Sequence, residues 1–377
     1  MAVSATIAMA AKSRELQSQG IDIIPLSLGE PDFGTPKHIK EAGKKAIDDG
    51  YSKYTPVPGF DDLRAAICNK FKRDNGLEFD KAQIVVSTGA KQTLVNIILC
   101  IVNSGDEVIM PIPYWVSYQA QIELAGGKVI GVPTNIENDF KMTPEQLEAA
   151  ITDKTKAFIF SSPCNPSGSV YTIEELEGLA KVFEKHPDII IISDEIYELI
   201  NFTDAHASIG TIPSMKDRTI TVNGLSKGFA MTGWRLGYMG APLAIAKACS
   251  KMQGQFTSGT SAVSQRAAIE ALGDNIEPSL EMKAAFLSRR NMVYDLLNAI
   301  DGLQVNMPQG AFYFFPNAKS FIGKSYNAMY ILNEGNVAVV TGSAFGDNEC
   351  FRISYATSED KLKEALKRIK DCLEKLS

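Results

Sequence analysis

No two cysteines of this sequence stand in a CxxC spacing. The six present, Cys68, Cys100, Cys164, Cys249, Cys350 and Cys372, are scattered along the chain, which argues against a zinc site or a disulfide framework. They read as buried thiols of a reducing cytosol. Positive charge is not in excess either: a formal net charge of −6 and a pI near 5.3 give no electrostatic reason to bind nucleic acid or an anionic membrane. Long apolar runs are missing, so nothing reaches the length that spans a bilayer. The stretch Ala2 to Ala11 contains an Ala8-Met9-Ala10 triplet that superficially resembles a signal peptidase site. It lacks a basic segment ahead of it and runs into Lys12, Arg14 and Glu15, so an amphipathic first helix is the better reading. Neither a GxGxxG dinucleotide fingerprint nor a GxxxxGK[ST] phosphate loop occurs, which removes the nucleotide-binding dehydrogenases and Walker-type enzymes. What is present is a globular composition of 377 residues, 45% hydrophobic and 22% charged, enough for two adjoining cores. The default partner is a small molecule.

From about residue 35 to 250, short apolar β-branched runs alternate with amphipathic segments, the pattern of βα units around a mostly parallel sheet. Seven strands are expected, at Gln83–Ser87, Glu107–Met110, Lys128–Val132, Lys156–Ser161, Ile189–Ser193, Thr219–Val222 and Leu236–Met239. Their lack of polar alternation implies helices on both faces. Thr172–Lys185 has helical periodicity and opens with a capping box, Thr172 with Glu175. Near Pro278 the rhythm changes to a long charged helix, Ser279–Asn298, then strand-like stretches around Phe312–Phe315 and Val337–Val340. A last helix carries Leu362, Leu366, Ile369, Leu373 and Leu376 on one face. The expected architecture is α/β, with a large domain over 35–277 and a smaller α+β domain made of 1–34 and 278–377.

Open α/β sheets bind ligands beyond the carboxyl ends of their strands, and polar residues cluster at several of these ends. The strand at 219–222 leads through Asn223-Gly224-Leu225 to Ser226-Lys227, followed by Gly228-Phe-Ala-Met-Thr-Gly-Trp-Arg235. A lysine after a strand is ordinarily a solvated surface residue. Schiff-base chemistry instead needs a lysine held out of water near other cations, and Arg235, eight residues on, has the planar fork that suits a phosphate. Asp194 follows the strand Ile189–Ser193, where a helix N-cap is the plain alternative. Asn165-Pro-Ser-Gly168 follows another strand and taken alone is an ordinary turn. Thr88-Gly89-Ala90-Lys91 links a strand to a helix start, whose free N–H groups favour an anion.

The segment Ser226-Lys227-Gly-Phe-Ala-Met-Thr-Gly-Trp-Arg235-Leu-Gly-Tyr resembles the cofactor-attachment segment of class I aminotransferases of fold type I, which use pyridoxal 5'-phosphate (PLP). The likeness runs almost end to end and is strongest to the bacterial-type aspartate aminotransferases. It implies that Lys227 holds PLP as a Schiff base and acts as general base, and that Asp194 pairs with the pyridine nitrogen. It implies further that Tyr197 and Asn165 share the phenolic oxygen, while Gly89, Ala90, Lys91, Ser226 and Arg235 surround the phosphate. By the same resemblance Trp115 lies against the ring and faces the substrate carboxylate. Gly29, in Gly-Glu-Pro-Asp-Phe33, lets the backbone approach the substrate, and Arg352 clamps its α-carboxylate. Tyr54 matches a tyrosine that reaches the PLP phosphate of the neighbouring subunit, which implies a homodimer with shared sites. Lys91 also matches a lysine used near the substrate's side-chain carboxylate, with the phosphate region or solvent as the alternative.

The implied reaction is a ping-pong transfer of the amino group of L-aspartate to 2-oxoglutarate in the cytoplasm, by a PLP enzyme whose partners are an amino acid and a 2-oxo acid. Alanine or aromatic aminotransferases and carbon–sulfur lyases share the cofactor residues and stay open as alternatives. A non-catalytic PLP-domain regulator would need a basic DNA-binding module ahead of the domain, for which the chain as given has no room. Two features depart from the subgroup. Relatives that accept prephenate carry a lysine near the N-terminus, absent from Met1-Ala2-Val3-Ser4, so prephenate is not expected as a substrate. The chain is also short between Phe321 and Tyr330. The histidines His38, His186 and His206 fall outside every motif and read as surface or structural.

Overall fold

The structure is a computed structural model that describes residues 4–323 and 328–376. The part of the Phe321–Tyr330 stretch at 324–327, and residues 1–3 of the expected prephenate position, lie outside the described residues. After a helix at Ala5–Ser18 comes a two-residue strand β1 (Ile24–Pro25). Seven strands follow and form one sheet: β2 (Ile84–Ser87), β3 (Glu107–Ile112), β4 (Lys128–Pro133), β5 (Thr155–Ser161), β6 (Ile190–Asp194), β7 (Thr219–Gly224) and β8 (Gly237–Gly240).

Their order is β2-β8-β7-β6-β5-β3-β4, with β8 alone antiparallel to its neighbours β2 and β7. The carboxyl ends of β2, β3, β5, β6 and β7 therefore lie along one edge, and the chain's polar motifs follow those ends. Six of the expected strands are buried, as continuous apolar runs demand. β4 differs: it is an edge strand, half-buried along its length, with Lys128 at its start bonded to Glu107. Apolar sequence alone does not distinguish an edge position from a central one. Expected and observed boundaries agree to within two residues. β3 and β7 each run two residues further, because ladder pairing carries Pro111 and Ile112 against β4 and Asn223 and Gly224 against β8.

Thr172 caps the helix Ile173–Phe183 with the expected reciprocal bonds to Glu175. The long helix spans Glu277–Asn298, starting ahead of Ser279 because Pro278 sits in its first turn, where a missing N–H costs nothing. Beyond it, β9 (Tyr313–Phe314), β10 (Val337–Ala338), β11 (Val340–Thr341) and β12 (Phe351–Ser354) are laid down. The expected strand at 337–340 divides in two: β10 pairs with β1 and β11 with β12, on which β9 packs in turn. The closing helix Glu359–Glu374 buries Leu362, Leu366, Ile369 and Leu373, while Leu376 lies past its end, partly buried. Four cysteines are buried; Cys68 and Cys100 are partly exposed. Among the described residues no helix is long and apolar enough to cross a membrane.

The smaller sheet and the long helix share an aromatic core. Phe286 stacks on Phe312 at 5.1 Å and meets Phe33 edge-on at 5.5 Å and Tyr355 at 6.2 Å. These rings join the segment at Phe33, the long helix and the small sheet, so they set where the segment bearing Gly29 lies over the large sheet. Phe286→Ala is expected to destabilise the fold by about 3–5 kcal/mol, the usual cost of emptying a buried aromatic site. Urea or guanidinium unfolding measures this, and a loss under about 1 kcal/mol would show the core closes without the ring.

Candidate active site

A cavity of about 350 Å³ opens at the carboxyl edge of the sheet. Gly29, Ala90, Lys91, Trp115, Asn165, Asp194, Tyr197, Ser226, Lys227, Arg235 and Arg352 all line it. Eleven residues scattered from the first to the last tenth of the sequence are thus brought to one place, because each follows a strand end or a loop that crosses it.

Lys227 stands at the centre. Its Nζ donates to the Gly29 carbonyl at 2.5 Å and lies 5.8 Å from the centre of the Tyr197 ring and 6.0 Å from that of Phe312. Burial, reinforced by Arg352 and Arg235 and opposed by Glu30 and Asp194, pushes its ammonium down to about 8 from the ordinary 10.5. A glycine at 29 is required, since a Cβ there would fall on the Tyr313 hydroxyl.

Asp194 ends β6 and is buried. Its Oδ2 accepts from the Tyr118 hydroxyl at 2.7 Å and its Oδ1 from the Ile196 amide at 3.3 Å. Burial pushes its carboxyl up to about 6, and the Tyr118 bond offsets part of that rise. Arg352, on β12, is 2% exposed; its Nη1 donates to Asn165 Oδ1 at 3.0 Å, its Nη2 to the Ser27 carbonyl at 2.5 Å, and its Nε is buried without a partner. It is sandwiched against Tyr313 and Phe345, at 4.5 and 5.1 Å from their ring centres. Among the described residues neither Asp194 nor Arg352 has an ion-pair partner, nor do Lys91 and Arg235. Asp194 and Arg352 are buried, and buried charges are costly unless a ligand neutralises them, whereas Lys91 and Arg235 are exposed at the cavity's opening.

The turn between β2 and the helix Ala90–Ile101 holds Gly89 at φ +86°, and a Cβ on it would lie 2.5 Å from Arg235 Nη2. Only glycine lets the guanidinium rest on this turn. Arg235 itself has φ +54°, an unfavourable setting for a non-glycine residue, and is held by the carbonyls of Thr232 at 2.8 Å and Thr88 at 3.4 Å. Helix geometry leaves the first amides, at Ala90 and Lys91, without intrahelical acceptors. Gly89 does not face the cavity itself and acts by admitting Arg235.

This donor set fits PLP. A buried carboxylate suits a protonated pyridine nitrogen, paired hydrogen-bonding groups from Asn165 and Tyr197 suit an ionised phenol, and free amides with Arg235 suit a phosphate. Trp115 supplies an apolar wall, meeting Tyr118 edge-on at 5.4 Å with Lys91 Nζ 5.0 Å from its ring centre. Tyr54 is not brought in: it is 99% exposed and away from the cavity.

Several cavity residues escaped sequence reasoning. Tyr118 lies in the first turn of the helix Ser117–Leu124, three residues after Trp115, and nothing in its neighbourhood marks it as the partner of Asp194. Tyr313, whose hydroxyl is 2.7 Å from that of Tyr197, is concealed in an aromatic strand run that reads as plain core. Thr232, which donates to Glu30, lies within the attachment segment, and Ser4, Thr6 and Ile7 reach the cavity from the first helix and its lead-in.

A family model described as aminotransferase class I and II matches residues 21–369. The chain is 46% identical, over 97% of its length and 95% of the relative's, to an aspartate/prephenate aminotransferase of Cereibacter sphaeroides. It is 45% identical to an aspartate aminotransferase of Bacillus subtilis, over 99% and 97% of the two chains. Among solved structures, an aspartate aminotransferase from Rhizobium meliloti superposes with a TM-score of 0.96 at 41% identity, covering 100% of this chain and 98% of that one. An aromatic aminotransferase from Pyrococcus horikoshii gives a TM-score of 0.91 at 42% identity, covering 97% and 100%. With its lysine, carboxylate and phosphate turn assembled as this chemistry requires, the chain belongs to the PLP-dependent class I and II aminotransferases.

Proposed function

We propose that this aminotransferase moves the amino group of L-aspartate to 2-oxoglutarate, giving oxaloacetate and L-glutamate. The observation that carries the choice is the number of unpaired cations in the cavity. Arg235 at the phosphate turn leaves Arg352 and Lys91 to be matched, and all four of these substrates and products carry two carboxylates. Arg352 presents its planar fork to the α-carboxylate. Lys91, whose ammonium is lowered by burial and then by Arg235, takes the distal carboxylate. The Thr6 hydroxyl, buried without a partner, adds a donor to the cavity lining. The relatives named for aspartate support this reading. Prephenate, in the name of one of them, is not part of it.

With PLP bound, the Asp194 carboxylate would accept from the protonated ring nitrogen and so keep it charged, Tyr197 and Asn165 would donate to the phenolic oxygen, and Ser226, Arg235 and the Gly89–Lys91 turn would hold the phosphate. When bound, PLP supplies the electron sink that allows the substrate's Cα–H bond to ionise. Lys227 takes that proton on Nζ, since a group near 8 is a usable base close to neutral pH, and returns it later in the cycle. The Gly29 carbonyl fixes the direction of Nζ. Arg352, immobilised by Asn165 and Ser27, fixes the substrate so that the Cα–H bond points at Lys227, an orientation effect worth several orders of magnitude in rate.

The same reading takes 35–277 as the large domain and assigns 1–34 and 278–377 to the small one, supported by the strands of 1–34 and 278–377 pairing only among themselves, in two small sheets apart from the seven-stranded one. It also takes the active form as a cytoplasmic homodimer, in which the exposed Tyr54 reaches the partner's phosphate site. Sedimentation equilibrium is expected to give twice the chain mass; a monomer with full activity would remove Tyr54 from the site.

In the PLP-loaded protein, the visible band is expected to bleach with aspartate and not with alanine or phenylalanine. Lys227→Ala should lose turnover by a factor of at least about 10⁴ while still retaining PLP non-covalently. Equal bleaching by all three amino acids would sink the aspartate choice, and full turnover by the alanine variant would sink the role of the lysine. Tyr118→Phe removes the bond that holds the Asp194 carboxyl down. Its titration in cofactor-free protein, followed by carboxyl ¹³C NMR, should move from about 6 upward by roughly one unit. PLP affinity should fall with it, and an unmoved titration would show that the Tyr118 bond contributes nothing.

A further inference from the structure

Behind the cavity lies a second cluster of ionisable groups that the reaction does not use. The strand β6 ends at Asp194 and a turn follows; Asp194 and Tyr197 line the cavity, whereas Glu195 and Glu198 do not and bond to the groups packed behind it. The Glu195 side chain is 1% exposed. Its Oε1 accepts from Ser193 Oγ at 2.9 Å and Ser208 Oγ at 2.6 Å, and its Oε2 from His206 at 2.8 Å and Asn75 Nδ2 at 3.1 Å. Glu198 accepts from Asn75 at 2.7 Å and forms an ion pair with Lys70, whose side chain is 3% exposed. Lys70 and Asn75 also bond each other at 2.6 Å, brought together by the π-helical turn Phe71–Asn75. Ligand atoms of Glu195, Glu198 and His206 come within 4.8 Å of one another, but the Lys70 ammonium already supplies the positive charge a cation would bring.

We propose that Glu195 and His206 are positioning residues for Asp194 and Tyr197, pinning the turn that carries them from beneath and keeping the ground under the cofactor ring electrically balanced. This rests on the reading that Asp194 and Tyr197 hold PLP. On its cavity flank the segment is fixed by the Tyr118 bond to Asp194 and the contact of the Tyr197 and Tyr313 hydroxyls, both at 2.7 Å, and along the backbone by Glu195 N–H to the Val222 carbonyl at 2.9 Å and Glu198 N–H to the Glu195 carbonyl at 3.0 Å. Hydrogen bonds to the Glu195 carboxylate from two separate stretches of chain, at Asn75 and at His206 and Ser208, remove the remaining freedom.

The charge count explains why an imidazole is used. Glu195 and Glu198 against Lys70 and a protonated His206 sum to zero, and at the edge of the cluster Asp74, 3.9 Å from Lys70, is balanced by its own partner Arg73 at 2.6 Å. Burial alone would push the imidazole down, yet Glu195, helped by Glu198 and opposed by Lys70, holds it above its ordinary 6.5. The balance is therefore complete below the ordinary imidazole value and is lost as pH rises through the raised one. Burial pushes Glu195 up, but His206, Ser208 and Ser193 bring it below the usual carboxylate range. Without the imidazolium, an unbalanced buried anion would sit one residue from Asp194 and raise its proton affinity.

The test compares PLP-loaded parent, His206→Gln, and the double variant Glu195→Gln/His206→Gln. The single glutamine keeps a donor near the position of Nε2 and removes the charge. It is expected to weaken PLP binding about tenfold and to move the pH at which the visible band interconverts upward by roughly one unit. The double variant, again charge-balanced, should recover to within about threefold of the parent. A merely structural role would lower the melting temperature of the single variant and leave PLP affinity and band pH at parental values, which overturns the proposal, as does a double variant no better than the single. If the single variant does not fold, ¹⁵N-histidine NMR of the unmodified protein decides. With three histidines in the chain, one imidazole should stay charged beyond the ordinary range and respond to added PLP. Ordinary titration of all three, or no response to PLP, refutes the idea. A parent that binds no PLP at all would instead sink the cofactor reading itself.

Discussion

Two opposite charges, Asp194 and Arg352, are held out of water in one cavity without being allowed to neutralise each other, and the rest of the site follows from that. Each would be stabilised by the other's approach. They are kept apart because Asp194 is fixed to the end of β6 and to Tyr118, and Arg352 to Asn165 and the Ser27 carbonyl. Lys227 stands in the field of both, closer in effect to the arginine, and its proton is loosened accordingly. A ligand bearing a cationic ring nitrogen and a carboxylate relieves both frustrations at once. The site is thus selective before any shape complementarity is considered.

This arrangement uses folding stability to prepare chemistry. Burying a carboxylate far enough to lift it to about 6 is unfavourable for the free protein. The cost is carried by cores elsewhere: the apolar layers on both faces of the large sheet, and the ring cluster around Phe286 and Phe312. Strained backbone at Arg235 belongs to the same pattern, an outlier kept in place because its guanidinium rests on the Gly89 turn.

How much of this could be read from the sequence depended on whether a residue's role is local. Apolar runs located all seven strands of the large sheet, since burial on both faces writes itself into consecutive residues. Lys227, Asp194, Asn165 and Arg352 were legible because each follows or occupies a strand within a recognisable motif. Tyr118 and Tyr313 were not, because a buried tyrosine's hydroxyl partner is decided by how distant segments pack. The edge position of β4 and the splitting of the 337–340 strand between two partners depend on pairing, which composition does not record. His206 reads from the sequence as a surface or structural residue; its side chain is buried, and its link to Glu195 crosses a loop that no spacing rule anticipates.

The bond from Arg352 to the Ser27 carbonyl spans 325 residues of sequence, and that from Lys227 to the Gly29 carbonyl spans 198. During synthesis the segment around Ser27 leaves the ribosome early and its partner on β12 among the last. The last strand of the large sheet ends at Gly240, and the helices Leu243–Phe256 and Ala262–Ala271 that cover the sheet also precede that anchor, so the sheet and its cover are made while the anchor is still untranslated. A nascent chain can therefore own a finished phosphate turn and a finished lysine and yet have no means of gripping a substrate. Competence to bind the cofactor and competence to turn over arrive at different moments in the life of the polypeptide, separated by the time taken to make its last third.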